Sequence, residues 1–277
     1  LSPRAAQAAT QKGPLRVVVL PFENLTRQEQ DAWLSHSFAE SLTMGLVKVK
    51  ELHIIERSQI DKLLKEQQFS QSAFADPDTA PNLGRMLGAN IVAVGSYQKV
   101  GEQLQANVRF VDVETGKIDA ERVAQVEGAF SQIFKLQKDL AQTMVKNLDV
   151  DASPVEVAEV KAAMTTTTST EAHRLFIQGL THLRYEGQDN LKKAQQSFEA
   201  ALKYDDQFAE AYARLAQTHI KLANLENANA ILPPTMGIMQ ESHENLAEKY
   251  LRQAMAIKPD LASIYLAAGG LQELRGD

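Results

Sequence analysis

From Leu15 to Phe22 the chain is apolar at every position but Arg16, a run of strand length dominated by valine. A run that does not alternate predicts a strand buried on both faces, as in the middle of an α/β sheet. Beyond it Leu34, Phe38, Leu42 and Leu46 recur every fourth residue, the stripe of an amphipathic helix, with Trp33 and Gly45 beside it. Thr26 and Glu29 have the spacing of a capping box for that helix. Residues 52–58 (LHIIERS) predict a second short strand, and Ser58 with Asp61 a further helix start before Leu63 and Leu64. A polar stretch, 69–81, leads to a short helix (NLGRMLGA) and a strand (NIVAVGSYQKV). Strand patterns at 103–113 and 117–127 flank Glu114–Lys117, a turn in which Gly116 supplies a positive φ. Ile133, Leu136, Leu140, Met144 and Leu148 then mark one face of a closing helix. The predicted unit is an α/β domain over 15–150, a mixed sheet with flanking helices, behind an N-terminal arm of residues 1–14.

Residues 151–170 read as a short helix and a Thr-rich linker. Ser153, Pro154 and Glu156 make a helix start with serine as N-cap, proline first and glutamate third. Thr165–Thr168 are β-branched and bury little, which suits a boundary.

From 171 to 277 the pattern is helical only, and it repeats. Leu175, Gln178, Gly179 and His182 are followed by Ala194, Phe198 and Ala201; Tyr212, Leu215, Ala216 and His219 by Ala247, Leu251, Ala254 and Pro259. A third copy begins with Tyr265, Ala268 and Gly269. This resembles the tetratricopeptide (TPR) pattern, two copies complete and a third cut short by Asp277, so the array is expected to continue. The spacing from Gly179 to Ala216 is 37 residues and from Ala216 to Gly269 is 53, against about 34 for this repeat. The excess falls in turn-rich segments, 186–190 and 224–243. The apolar Met236, Ile238 and Met239 of the longer one read as packing back on their own helices or as a contact surface. An all-α superhelix follows the α/β domain.

In the first half, VVVLPFEN, ERSQIDKLLKEQ (56–67), LGANIVAVGSY (87–97) and VRFVDVETGKI (108–118) occur in an order that resembles the α/β domain of the curli-secretion-channel (CsgG-like) family and its relatives, among them the N-terminal domain of TolB and flagellar accessory lipoproteins. The resemblance implies a domain used for protein contacts in the bacterial envelope, without catalytic residues. It also implies a periplasmic or envelope location with a removed signal peptide, consistent with the small residues Ala6-Gln7-Ala8; a cytoplasmic location is left open. The lipidated cysteine and long membrane hairpins of the channel proteins have no counterpart here, which disfavours a channel subunit.

Composition narrows the chemistry. The net charge of −6 is spread without a basic cluster, against a nucleic-acid partner. The absence of cysteine excludes thiol catalysis and disulfides. No apolar run is long enough to span a bilayer. Where a glycine-rich phosphate loop would stand, Pro21 has no N–H and Phe22 occupies the space, so no nucleotide or other cofactor is expected. His182 and His219 share a repeat position that packing explains; His53 and His243 lack ligand-spaced neighbours; no metal is expected. The serines at 35, 37 and 41 have no nucleophile elbow.

The resulting expectation is a non-enzymatic scaffold or adaptor for a protein or peptide partner, with homo-oligomerisation left open; an enzyme or nucleotide-binding domain with an unrecognised site is the alternative. In the TPR phase, positions 2, 5, 9, 12 and 13 of each first helix face a concave groove. That set is His173, Phe176, Leu180, Leu183 and Arg184 from the first repeat, with Glu210, Ala213, Gln217, Ile220 and Lys221 from the second. An apolar groove with two cations at one end suits an amphipathic segment bearing an acidic residue, and Phe176→Ala together with Arg184→Ala is expected to abolish partner capture while sparing stability.

Overall fold

The structure, a computed structural model, describes residues 13–55, 60, 79–118, 122–164, 166–185, 187–229 and 242–276. The chain divides after Thr165 into two compact units. The predicted helix beginning at Ser58, residues 69–78 of the polar stretch and the Met236–Met239 cluster lie outside the described residues, apart from the buried Ile60, whereas Thr79–Pro81, expected as loop, already belong to a helix.

The first unit is an α/β sandwich. Its strands are β1 (Leu15–Val19), β2 (Glu23–Asn24), β3 (Leu52–Ile54), β4 (Ile91–Val100), β5 (Gln103–Asp112) and β6 (Ala124–Ala129), in the sheet order β3-β1-β4-β5-β6 with β2 beside β4. β1 is central and parallel to both neighbours, while β4, β5 and β6 form an antiparallel meander. Val17 and Val19 point into one core and Val18 and Leu20 into another, so the uninterrupted valine run is buried on both faces. Helices α1 (Trp33–Leu46) and α3 (Ile133–Asn147) cover the first face; α2 (Thr79–Met86) covers the second. β5 alternates as a sheet with one covered face should: Leu104, Ala106, Val108 and Phe110 point inward. Gly101 (φ 58°) turns β4 into β5 within two residues, and Gly116 (φ 68°) turns the chain after Asp112, whose Oδ1 accepts from the Thr115 N–H and hydroxyl. Among the described residues the isolated bridge Val111–Ile118 precedes β6, which begins at Ala124.

Two local expectations are corrected. Thr26 does not cap α1: its N–H and hydroxyl both donate to Asn24 Oδ1, and a short 3₁₀ turn, Glu29–Asp31, leads into the helix. A two-residue Asx contact competes directly with the longer-range cap. Helix α4 (Pro154–Ala163), expected in the linker, instead packs on α1. Its Val160 and the following Met164 belong to the first core, and Gly45 of α1 admits them: a Cβ there would lie 2.7 Å from Met164 Sδ. The predicted Ser153–Glu156 capping box is present. Glu156 also accepts from the Lys50 N–H, and its hydrogen bonds, first the one from the Ser153 hydroxyl, hold its carboxyl at about 2.

The second unit contains α5 (Thr170–Leu183), α6 (Gln188–Tyr204), α7 (Ala209–Asn229), α8 (His243–Ile257) and α9 (Ala262–Arg275). α5 packs on α6, α7 on α8, and α9 on both α7 and α8. Gly179 lets α5 and α6 close, because the Phe198 ring takes the space of its missing side chain. Among the described residues no helix is long and apolar enough to cross a membrane.

Candidate interaction surface

At the end of β1 the backbone donors are absent or engaged. Leu20 N–H donates to Ala93 O (3.1 Å), Pro21 has none, and Phe22 N–H donates to Ser35 O (3.2 Å). The Phe22 ring stacks on Phe38 at 5.0 Å and lies against Gly95 of β4. Phe38 continues the stack to Tyr97, whose hydroxyl donates to the Asp31 carbonyl at 2.8 Å. Beside it Lys99 Nζ lies 3.2 Å from Asp31 Oδ1 and 4.9 Å from the centre of the Phe130 ring. This aromatic and ionic cluster joins β4 to the start of α1.

In the second unit the ten expected groove residues separate into two groups. Six are buried: His173, Phe176, Leu180, Glu210, Ala213 and Ile220. Phe176 is enclosed by Phe198 of α6 at 5.7 Å and Phe208 before α7 at 4.8 Å. Burial alone pushes the His173 imidazole down to about 4. The Ser263 hydroxyl of α9 donates to Glu210 Oε2 (2.7 Å), and Arg214 Nε to Oε1 (3.0 Å). Ala213 and Ile220 share a core with Ile264, Ala267 and Leu271 of α9. In the first repeat positions 2, 5 and 9 (His173, Phe176, Leu180) and in the second positions 2, 5 and 12 (Glu210, Ala213, Ile220) are turned toward neighbouring helices rather than toward an open apolar groove. Leu271 of α9 is buried by the same packing, while Leu266 is exposed.

The remaining four, Leu183, Arg184, Gln217 and Lys221, keep some or all of their exposure. On α7 the open stripe is Arg214, Gln217, Lys221 and Asn224, with Gln217 Oε1 accepting from Arg214 Nη1 at 3.2 Å. On α5 it is Arg174, Gln178 and Thr181, with the exposed Tyr185 just past the helix end. The surface these helices offer is polar and cationic rather than apolar.

One constellation was not legible in the sequence. His243, which lacks ligand-spaced neighbours along the sequence, lies with its Nδ1 2.8 Å from His219 Nδ1 and its Nε2 3.2 Å from Glu226 Oε1. The two imidazoles are 24 positions apart, and only the pairing of α7 with α8 brings them together. Among the described residues no histidine and carboxylate group has the arrangement of a metal site.

Comparison with known proteins places these features. Residues 3–103 match the family model of CsgG, the curli production assembly/transport component, so this stretch of the chain is similar to that family. A protein described as putative adenylate cyclase 3, from Rhizobium meliloti (strain 1021), is 24% identical over 204 residues, 72% of this chain and 32% of that protein. The chain therefore spans about a third of that relative's length. Among solved structures, the C-terminal domain of LpoB from Salmonella enterica is 17% identical, with 46% of this chain and 89% of that one covered and a TM-score of 0.33. A lipoprotein from Neisseria meningitidis is 16% identical, covering 42% and 81%, with a TM-score of 0.34.

Proposed function

We propose that this chain is a non-enzymatic adaptor of the bacterial cell envelope, in which the CsgG-like domain docks to one assembly and the helical pairs hold a second protein. The observation that carries the reading is the match of residues 3–103 to an assembly and transport family. The filled strand end supports it: with Phe22 against Gly95, the place of a phosphate loop is taken by core. The helical pairs are read as TPR repeats, supported by Gly179 meeting Phe198 and by Ala216 with Ala247 in one core. The partner-facing surface is the stripe around Gln217 and Lys221, with Leu183 and Arg184, and its cations suit an acidic segment. A channel subunit needs long membrane hairpins, and the β4–β5 connection consists of Gly101 and Glu102 alone.

The test is site-specific photocrosslinking in cells. A crosslinking residue replaces the exposed Lys221 of the full chain, with one at exposed Lys203 as control, and the cells are fractionated. The expected result is a discrete crosslinked protein from position 221 only, recovered with the envelope. No crosslink together with a purely cytosolic chain would overturn the reading.

The similarity to a putative adenylate cyclase favours a second reading, in which such a chain carries the activity of a signalling enzyme. Incubation with ATP and Mg²⁺ separates the two, since formation of cyclic AMP by the purified chain defeats the adaptor reading.

A further inference from the structure

Two imidazoles meet within the α7–α8 packing, their rings tilted by 40° to each other. The His219 and His243 rings are 5.0 Å apart, and His219 also stacks on Tyr250 of α8 at 5.5 Å, which continues to Tyr212 of α7 at 6.2 Å. His219 is 1% exposed, and its Nε2 is buried with no hydrogen-bond partner among the described residues. His182, at the same repeat position in α5, is half-buried and faces no second histidine in the described structure.

We infer that the His219–His243 contact is a proton-operated latch that holds α7 against α8 and releases on acidification. The gap between the two Nδ1 atoms, 2.8 Å, has room for one proton. With both rings neutral, His243 donates from Nε2 to Glu226 and accepts at Nδ1 from His219. With one added proton, His243 donates from both nitrogens, to Glu226 and to His219 Nδ1, and the latch stays closed. A second proton places two N–H groups nose to nose and two positive charges side by side, and the closed geometry no longer has a hydrogen bond to offer.

The direction follows from linkage. Burial, and then the charge of His243, push His219 down to about 4 in the closed form, whereas an exposed imidazole in an opened pair returns to about 6.5. Between those limits the open form binds one more proton, so its population rises about tenfold for each unit fall in pH and levels off below about pH 4. The surrounding charges do not cancel this. Glu226 of α7 faces His243, not His219. On α8, Glu244 and Glu248 are engaged by Arg275 of α9, and Glu248 also by Arg252. Among the described groups His243 is the one whose charge acts on His219. Release bares the Tyr212–Tyr250 aromatic face, so the latch couples pH to the surface the helical pair presents.

The chain contains no cysteine, so spin labels at Asn224→Cys on α7 and Gln253→Cys on α8, both exposed, report the distance between the helices alone. In the full chain a single short distance is expected at about pH 7.5, with a longer component growing about tenfold per pH unit below about 6.5. In His219→Asn, which keeps a polar group near Nδ1 but does not titrate, the distribution is expected to be independent of pH. Should circular dichroism show that variant unfolded, His243→Asn decides: it keeps an acceptor for His219 but removes the second charge, and the acid response must shrink. A wild-type distance unchanged to about pH 4.5, or an equal response in the folded variants, overturns the latch.

Discussion

The ring of Phe22 lies against the backbone of Gly95, so close that a Cβ at position 95 would be 2.5 Å from its Cε2 and Cζ atoms. The residue that replaces a phosphate loop is thus seated in a notch on the neighbouring strand, and the notch exists because residue 95 has no side chain. Gly95→Ala should destabilise the first unit by about 1–3 kcal/mol, the usual cost of overpacking. Phe22→Leu should restore part of that loss in the double variant, because the smaller side chain vacates the notch. Urea unfolding of the two single variants and the pair measures the coupling; additive losses would mean the ring and the glycine do not meet.

Phe176 is a core residue, and its truncation should show it. Phe176→Ala removes a ring packed between Phe198 and Phe208 and is expected to cost about 3–5 kcal/mol. Lys221→Ala, on the open stripe of the next helix, should stay within about 0.5 kcal/mol. Chemical denaturation of both separates packing from surface.

His173 should make the second unit sensitive to acid. Its folded-state value, about 4, lies below that of the unfolded chain because burial disfavours the charged ring. Its contribution to stability is therefore complete above about pH 6.5 and is lost as pH falls toward 4, at about 1.4 kcal/mol per pH unit. His173→Leu should remove one proton from the slope of stability against pH over that window. An unchanged slope in denaturation curves from about pH 7 to 4.5 would place the acid sensitivity elsewhere in the unit.

Ser153→Ala should cost about 1 kcal/mol through loss of the cap on α4. It should also raise the Glu156 carboxyl from about 2, since the Ser153 hydroxyl is the largest cause of its lowering. In the wild type that favourable interaction is present above the unfolded carboxylate range and is lost as pH falls through about 2. Carbon-13 titration of the glutamate carboxyls follows the shift directly.

What the sequence determined by itself was whatever rests on neighbours a few positions apart. The buried β1 follows from its unbroken valines, the α1 and α3 stripes from their fourfold spacing, and the Ser153–Glu156 box from two partners three residues apart. The turn at Gly116 follows from the need for a positive φ. Where two local options compete, the sequence alone did not choose: Asn24 reaches Thr26 before Glu29 does, and the expected cap is lost. Tertiary packing decided which helix stripe is covered. Phe176 and Ile220 have the same apolar character whether they face a groove or a neighbouring helix, and only the arrival of Phe208 and of α9 puts them inside. It also decided the seating of α4 on Gly45 and the meeting of His219 with His243, because a contact across 24 residues depends on where two helices cross, which periodicity along either one does not encode.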